Sequence, residues 1–152
     1  MYDFNQARFT ALVAESVPEK AIREAIFELL DFSHKHALKV VGGKDDRTFH
    51  YIVSTSGGSA MLFYCDSAGG VSIALGNFPQ LRPRAVQRFV RKLGALSPAF
   101  KYVQRFEDRR RKGGTQLFLI EETLVDPRTM AAFKRGVLEL QREIELSGYT
   151  AQ

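Results

Sequence analysis

Apolar and polar residues alternate through three short runs in the first half of the chain, and this alternation predicts strands. The runs are Thr48–Ser54, Ala60–Asp66 and Val71–Phe78. In the first run, Phe49, Tyr51 and Val53 alternate with polar neighbours, which is the period of two of a half-buried strand. Glycine-rich segments at 56–59 and 67–70 separate the runs and favour tight turns. The stretch therefore predicts an antiparallel meander with one apolar face.

The need to keep apolar side chains on one face sets the expected strand register. The predicted pairs are Val53 with Met61, Tyr51 with Phe63 and Phe49 with Cys65 in the first hairpin, and Cys65 with Val71, Phe63 with Ile73 and Met61 with Leu75 in the second. A slip of one residue would turn the third strand to the opposite face, so we expect a bulge near Gly69–Gly70 to maintain this register. Helices must then cover the apolar face.

Helices are predicted where apolar residues recur at intervals of three and four. The first covers about residues 4–14 with Asp3 as cap, and the second begins at a capping box, Ser16–Glu19. A third helix covers about residues 83–95. The last helix begins at Asp126-Pro127 and is expected to end at Gly148. Its predicted buried residues are Met130, Phe133, Val137, Leu140 and Ile144.

Two further strands are expected, at Leu38–Val41 and Leu117–Ile120. Together the elements predict an α+β fold, with an antiparallel meander of about five strands and helices packed on one face, in the order ααββββαβα. We expect a single domain over residues 1–152, because no linker or internal repeat interrupts the pattern.

Composition narrows the class of protein. Hydrophobic residues make up 45% of the chain and charged residues 26%, which is typical of a globular protein in water. No apolar run approaches the length of a membrane span, and the first residues lack the pattern of a signal peptide. The single cysteine, Cys65, cannot form an internal disulfide, so we expect a cytoplasmic protein without a membrane partner.

Positive charge is concentrated in one segment. Residues 82–112 contain eleven Lys or Arg residues against Glu107 and Asp108, a local balance of +9 in a chain whose net charge is +5. The rest of the chain is therefore acidic, at −4. Such a segment is typical of a surface that binds nucleic acid or another polyanion. A solvated basic surface without a partner is the alternative.

The predicted polyanion-binding residues fall into two groups. Arg84, Arg88, Arg91 and Lys92 share one face of the third helix, and Arg109, Arg110, Arg111 and Lys112 form a basic loop. Contacts from such residues to phosphates give affinity that depends on salt and little on base sequence. The leading hypothesis is therefore a non-catalytic basic module that binds DNA, RNA or another polyanion.

Catalytic and metal sites are less well supported by the sequence. His34 and His36 lie two residues apart on a predicted helix and project in different directions, and His50 is distant in sequence. Cys65 is expected in an apolar environment that raises its pKa. A metal-dependent nuclease would need carboxylates that converge near a lysine. The spacing of the candidate acidic residues along the sequence does not indicate such a site; these residues are Asp66, Glu121, Glu122, Glu24 and Glu28. We therefore assign no catalytic residue, metal ligand or cofactor.

Protein interaction or oligomerisation is the second hypothesis. If helices cover only one face of the sheet, the other face remains free. The residues expected there are His50, Ile52, Leu62 and Tyr64. Three of the four are large apolar or aromatic side chains, which would suit a protein partner or a second copy of the chain.

Several short motifs resemble those of a poorly characterised bacterial α+β domain. They are Leu29-Leu30-Asp31-Phe32, Gly42-Gly43-Lys44, Thr48-Phe49, Leu62-Phe63, Gly70-Val71-Ser72-Ile73, Arg88-Phe89-Val90-Arg91-Lys92-Leu93 and Asp126-Pro127. The resemblance covers about residues 22–146. Members of this family are often appended to larger proteins of restriction or DNA metabolism, so the resemblance implies a role near DNA and transfers no catalytic residue.

Overall fold

A six-stranded antiparallel sheet forms the centre of the protein, and each strand pairs with the next one along the chain. The computed structural model describes residues 2–97 and 116–150. The strands are β1 (Tyr2–Asp3), β2 (Lys39–Gly42), β3 (Thr48–Thr55), β4 (Gly58–Asp66), β5 (Gly70–Ile73) and β6 (Gln116–Leu119). The helices are α1 (Gln6–Ser16), α2 (Lys20–His36), α3 (Pro83–Leu96) and α4 (Pro127–Thr150). The predicted α+β meander is confirmed, with six strands where about five were expected.

Aromatic contacts join the inner face of the sheet to the helices. The ring of Phe49 on β3 lies 5.5 Å from Phe9 of α1, measured between ring centroids. Tyr51 stacks on Phe32 of α2 at 6.0 Å, and Phe63 of β4 meets Phe133 of α4 edge-on at 5.5 Å. All of these rings are buried. Since aromatic pairs add to the free energy of area burial, they hold the helices on this face.

The predicted register is correct near the middle of the meander. Four of the predicted pairs are confirmed: Phe49 with Cys65, Tyr51 with Phe63, Cys65 with Val71 and Phe63 with Ile73. Two predicted pairs are wrong. Val53 pairs with Ala60 because the β3–β4 register shifts between Tyr51 and Ile52, and Met61 does not pair with Leu75 because β5 ends at Ile73.

A bulge that was not predicted lies in β4. Tyr51 pairs with Phe63 and the next residue, Ile52, pairs with Met61, so Leu62 is the extra residue. At the turn itself, the Asp66 carboxylate accepts hydrogen bonds from the backbone N–H groups of Ala68 and Gly70, at 2.9 and 3.0 Å. Gly69 has a φ of +98° there. The Gly69 N–H also donates to the Asp66 carbonyl at 3.1 Å, so the turn ends on a glycine with positive φ, which is the arrangement of a G1 bulge at the predicted position.

The residues that cap the helix N-termini differ from the prediction at α1 and α2 and agree with it at α4. Asn5, not Asp3, caps α1 by accepting from the N–H of Arg8 at 3.0 Å, because the chain at Asp3 is paired in β1. Ser16 ends α1 and does not cap α2, whose first residue follows Glu19.

The beginning of α4 is confirmed and its end is not. Asp126 caps the helix as predicted, accepting from the N–H and hydroxyl of Thr129 at 3.2 and 2.7 Å. The hydrogen bond from the Thr129 hydroxyl is the main reason that the pKa of Asp126 is lowered. The helix continues past Gly148 to Thr150. Its predicted inner stripe is buried as expected.

One buried polar network connects the sheet to two helices. The Tyr51 hydroxyl donates to the side-chain carbonyl of Gln141 on α4. The Gln141 amide donates in turn to the backbone carbonyl of His36, at the end of α2, at 3.1 Å, and to Glu145 at 3.2 Å. Burial, and then the charge of Glu145, raise the pKa of Tyr51 far above its usual value. The network fixes where β3, α2 and α4 meet.

Replacing Gln141 by methionine should destabilise the protein, because the Tyr51 hydroxyl and the His36 carbonyl lose their buried partner. We expect the free energy of unfolding in urea to fall by about 1–3 kcal/mol. Adding Tyr51→Phe should cost less in the Gln141→Met background than in the wild type, because the hydroxyl then has no partner to lose. Strictly additive losses in this double-mutant cycle would contradict the network.

Candidate nucleic-acid interface

The third helix is held in place by close contact with α4. Its buried residues are Ala85, Val86, Phe89 and Leu93. The Phe89 ring lies over the backbone of Gly136, where an added Cβ atom would come within 2.6 Å of Phe89 Cε2. The same ring lies 6.1 Å from Phe133. Glycine at 136 therefore allows α3 to approach α4 closely.

The opposite side of α3 carries three arginines in one row. Arg84, Arg88 and Arg91 follow the spacing i, i+4, i+7, which places them on one helix face, and all three are exposed. Within residues 2–97 and 116–150, no carboxylate lies within 4.0 Å of their guanidinium nitrogens. We call these three residues the α3 arginine face. Their charge is free to meet an anion from solution.

Lys92, the fourth predicted residue of this helix, contributes differently. Its ammonium lies 3.5 Å from the Glu139 carboxylate of α4, and the two side chains are 56% and 47% exposed. Such a solvated pair contributes little to stability and lowers the positive charge on this flank. Arg88 also borders a groove of about 270 Å³ that contains Glu139, Arg142 and Glu143. On the side of α4, the α3 arginine face is therefore bordered by both positive and negative charges.

Basic residues at the N-terminus of α3 lower the stability of this helix. Arg82 occupies the N-cap position without a side-chain hydrogen bond to the helix, and Arg84 lies in the first turn, which has no acidic residue. A positive charge near a helix N-terminus opposes the helix dipole at a cost of about 0.3–1 kcal/mol. An anion bound at this end would offset that cost.

The basic loop cannot be compared with this face. Arg109, Arg110, Arg111 and Lys112 lie outside the described residues, as does most of the segment that follows α3. The structure therefore places four of the eight predicted residues, and three of those four form a common face.

Cys65 is not positioned for catalysis. It is fully buried, as predicted, and its pKa is raised first by burial and then by the neighbouring Asp66 charge. A thiol in this state is not a nucleophile near neutral pH. Among the described residues, no three His, Cys, Asp or Glu side chains converge as a metal site would require.

His50 lies on the outer face of the sheet in an unusual environment. Its Nε2 atom is 2.9 Å from the Thr48 hydroxyl, and its ring stacks on Tyr64 with 5.3 Å between centroids. Its Nδ1 atom is buried without a hydrogen-bond partner. Burial lowers the pKa of this imidazole, so the neutral form is favoured in the folded protein.

The outer face of the sheet does not offer the surface that the second hypothesis assumed. Ile52 is 1% exposed and Leu62 is fully buried. Leu62 is the extra residue of the β4 bulge, and its side chain belongs to the main core cluster. His50 and Tyr64 remain partly accessible. The two aliphatic side chains of the proposed patch are therefore unavailable to a partner.

Comparisons with known proteins found no match: no family model, no curated protein and no solved structure matches this chain. Across the described residues, none of the helices combines the length and the apolar character needed to cross a membrane.

The contact between α3 and α4 can be tested with two glycines that differ in their surroundings. Gly136→Ala should lower the free energy of unfolding, because overpacking against Phe89 costs about 1–3 kcal/mol and outweighs the helix-propensity gain of about 1 kcal/mol. Gly94→Ala is the matched control, since among the described residues no atom beyond the backbone of its own helix lies within 4 Å of an added Cβ there, and it should stabilise the protein. Urea denaturation of both variants measures the difference, and stabilisation by Gly136→Ala would contradict the contact.

The environment of His50 predicts a dependence of stability on pH. Because its pKa is lowered in the folded state, the unfolded chain binds a proton more readily below pH about 6.5. The stability contributed by neutral His50 is therefore present above that pH and is lost as the pH falls. Urea midpoints at pH 7.5 and pH 5 should differ less for His50→Gln than for the wild type. The exposed control His34→Gln should retain the wild-type difference.

Proposed function

We propose that this protein is a non-catalytic module that binds nucleic acid, or another polyanion, through the basic segment 82–112. The observation that carries the proposal is the α3 arginine face, three exposed arginines in one row with no carboxylate within 4.0 Å among the described residues. The concentration of positive charge in residues 82–112, within a chain whose remaining residues have a net negative charge, supports the same conclusion.

The geometry of the row suits a phosphate backbone. Seven residues of α-helix separate Arg84 from Arg91, which corresponds to about 10 Å along the helix axis. One strand of B-DNA presents a phosphate about every 3.4 Å of axial rise while it winds around the axis, so a straight row of this length can reach about two or three phosphates. Each guanidinium has a planar set of donors that can bind a phosphate with two hydrogen bonds. The contact of α3 with α4 supports this role, because it fixes the position of the helix that carries the three side chains.

The expected binding is electrostatic and largely independent of base sequence. The face contains no exposed aromatic side chain, and Gln87, the polar residue beside the arginines, is the only amide on α3. We therefore expect contacts to the backbone and not to the bases. Affinity should fall as salt concentration rises, with a slope that reports the number of phosphates contacted.

Neutralising the α3 arginine face should weaken binding. The triple variant Arg84→Gln, Arg88→Gln, Arg91→Gln should bind a fluorescent 20-mer of DNA or RNA about 10- to 100-fold more weakly in 50 mM salt, and its log–log salt slope should fall by about 3. Fluorescence anisotropy on single-stranded and duplex probes measures both quantities.

The control for this experiment removes the same charge elsewhere. Lys20, Lys39 and Lys44 are exposed and lie outside the basic segment. Their triple replacement by Gln should reduce affinity by less than about 3-fold, since these lysines add to the net charge of the protein but are not among the proposed phosphate contacts. An equal loss in both variants, or no binding of any polyanion by the wild type at low salt, would overturn the proposal.

A further inference from the structure

The flank of the α3 arginine face that borders α4 carries as many negative as positive charges. Glu139, Arg142 and Glu143 of α4 line the groove there, together with Arg88 of α3. The Lys92 ammonium lies at the same flank, 3.5 Å from the Glu139 carboxylate. Apart from Arg88, which belongs to the α3 arginine face itself, the flank therefore combines two positive and two negative side chains.

The position of Lys92 would otherwise make it a fourth phosphate contact. It follows Arg88 by four residues, so the two side chains lie on the same side of α3, and both are exposed. The Glu139 carboxylate binds the Lys92 ammonium in place of an anion from solution. A phosphate that approached Lys92 would also be repelled by this carboxylate, because the two groups have the same charge.

The Lys92–Glu139 pair is weak enough for one substitution to release the lysine. Both side chains are about half exposed, and a solvated pair of this kind contributes little to stability. The contact between the two helices depends instead on the Phe89 ring above Gly136. Removing the carboxylate should therefore free the ammonium without moving α3.

We propose that Glu139 limits the polyanion-binding surface by competing with phosphate for Lys92. In the wild type, a bound polyanion follows the three arginines of the α3 arginine face while Lys92 stays paired with Glu139. The carboxylate thereby keeps phosphates away from α4 and confines the bound backbone to the width of one helix, about 10 Å. This inference rests on the proposed function, because it concerns the same surface.

Replacing Glu139 by glutamine should strengthen binding. In the anisotropy titrations described for the arginine variants, Glu139→Gln should bind the same probes about 2- to 5-fold more tightly, the range expected for loss of a competing solvated ion pair. The log–log salt slope should rise by about 1, because the freed Lys92 then contacts one more phosphate.

A double-mutant cycle with Lys92 separates this competition from a general change in charge. Lys92→Gln should weaken binding by the wild type less than about 2-fold and leave the salt slope unchanged, because the paired lysine contacts no phosphate. In the Glu139→Gln background, the same substitution should remove the gain in affinity and the added slope. An equal effect of Lys92→Gln in both backgrounds would overturn the inference.

Two control variants remove one carboxylate each. Glu143→Gln changes the same groove, but no Lys or Arg nitrogen lies within 4.0 Å of Glu143 in the described part of the chain. Glu28→Gln breaks a similar pair, with Lys134 at 3.1 Å, on the side of α4 that faces α2. Both controls should leave the salt slope unchanged, and circular dichroism melting checks that every variant is folded.

The wild type shows which proposal fails. If it binds no polyanion at low salt, the proposed function and this inference are both overturned. If it binds but Glu139→Gln does not bind more tightly, or if the control variants raise the salt slope as much as Glu139→Gln does, only the role of Glu139 is overturned.

Discussion

The position of every helix near the candidate interface depends on one buried ring, that of Phe133. It meets Phe63 of β4 at 5.5 Å, Phe118 of β6 at 5.8 Å and Phe89 of α3 at 6.1 Å. A single side chain therefore joins the sheet to α4 and α4 to α3. Because interiors are packed to crystal-like density, a change at this ring would move several elements together. The orientation of the α3 arginine face thus depends on core packing well away from the surface.

Much of the fold could be predicted because the periodicity of apolar residues was unambiguous. The strand pairs around Tyr51 and Phe63 and the inner stripe of α4 agree with the structure for that reason. The predictions were wrong where the local sequence allows two alternatives. Asp3 and Asn5 are both good caps, and only the pairing of β1 with β2, decided by residues far along the chain, leaves Asn5 as the cap. The β4 bulge left no comparable mark in the sequence.

The candidate site was predictable to a similar extent. Helical spacing was enough to place Arg84, Arg88 and Arg91 on one exposed face. It could not reveal that Lys92 meets Glu139, because the partner lies 47 residues away and its position depends on how α3 packs on α4. The burial of Ile52 and Leu62 was missed because alternation assigns faces to residues but does not report what covers a face.

The order of elements along the chain has a consequence for biosynthesis. The sheet strands β1 to β5 are complete at Ile73, but the ring that covers Phe63 belongs to Phe133, sixty residues later. At typical translation rates this interval is about 3 to 12 s. During that time the ribosome holds a nascent chain whose aromatic surface lacks its final helix. Until α4 emerges, Phe63 therefore lacks the ring that packs against it in the folded protein.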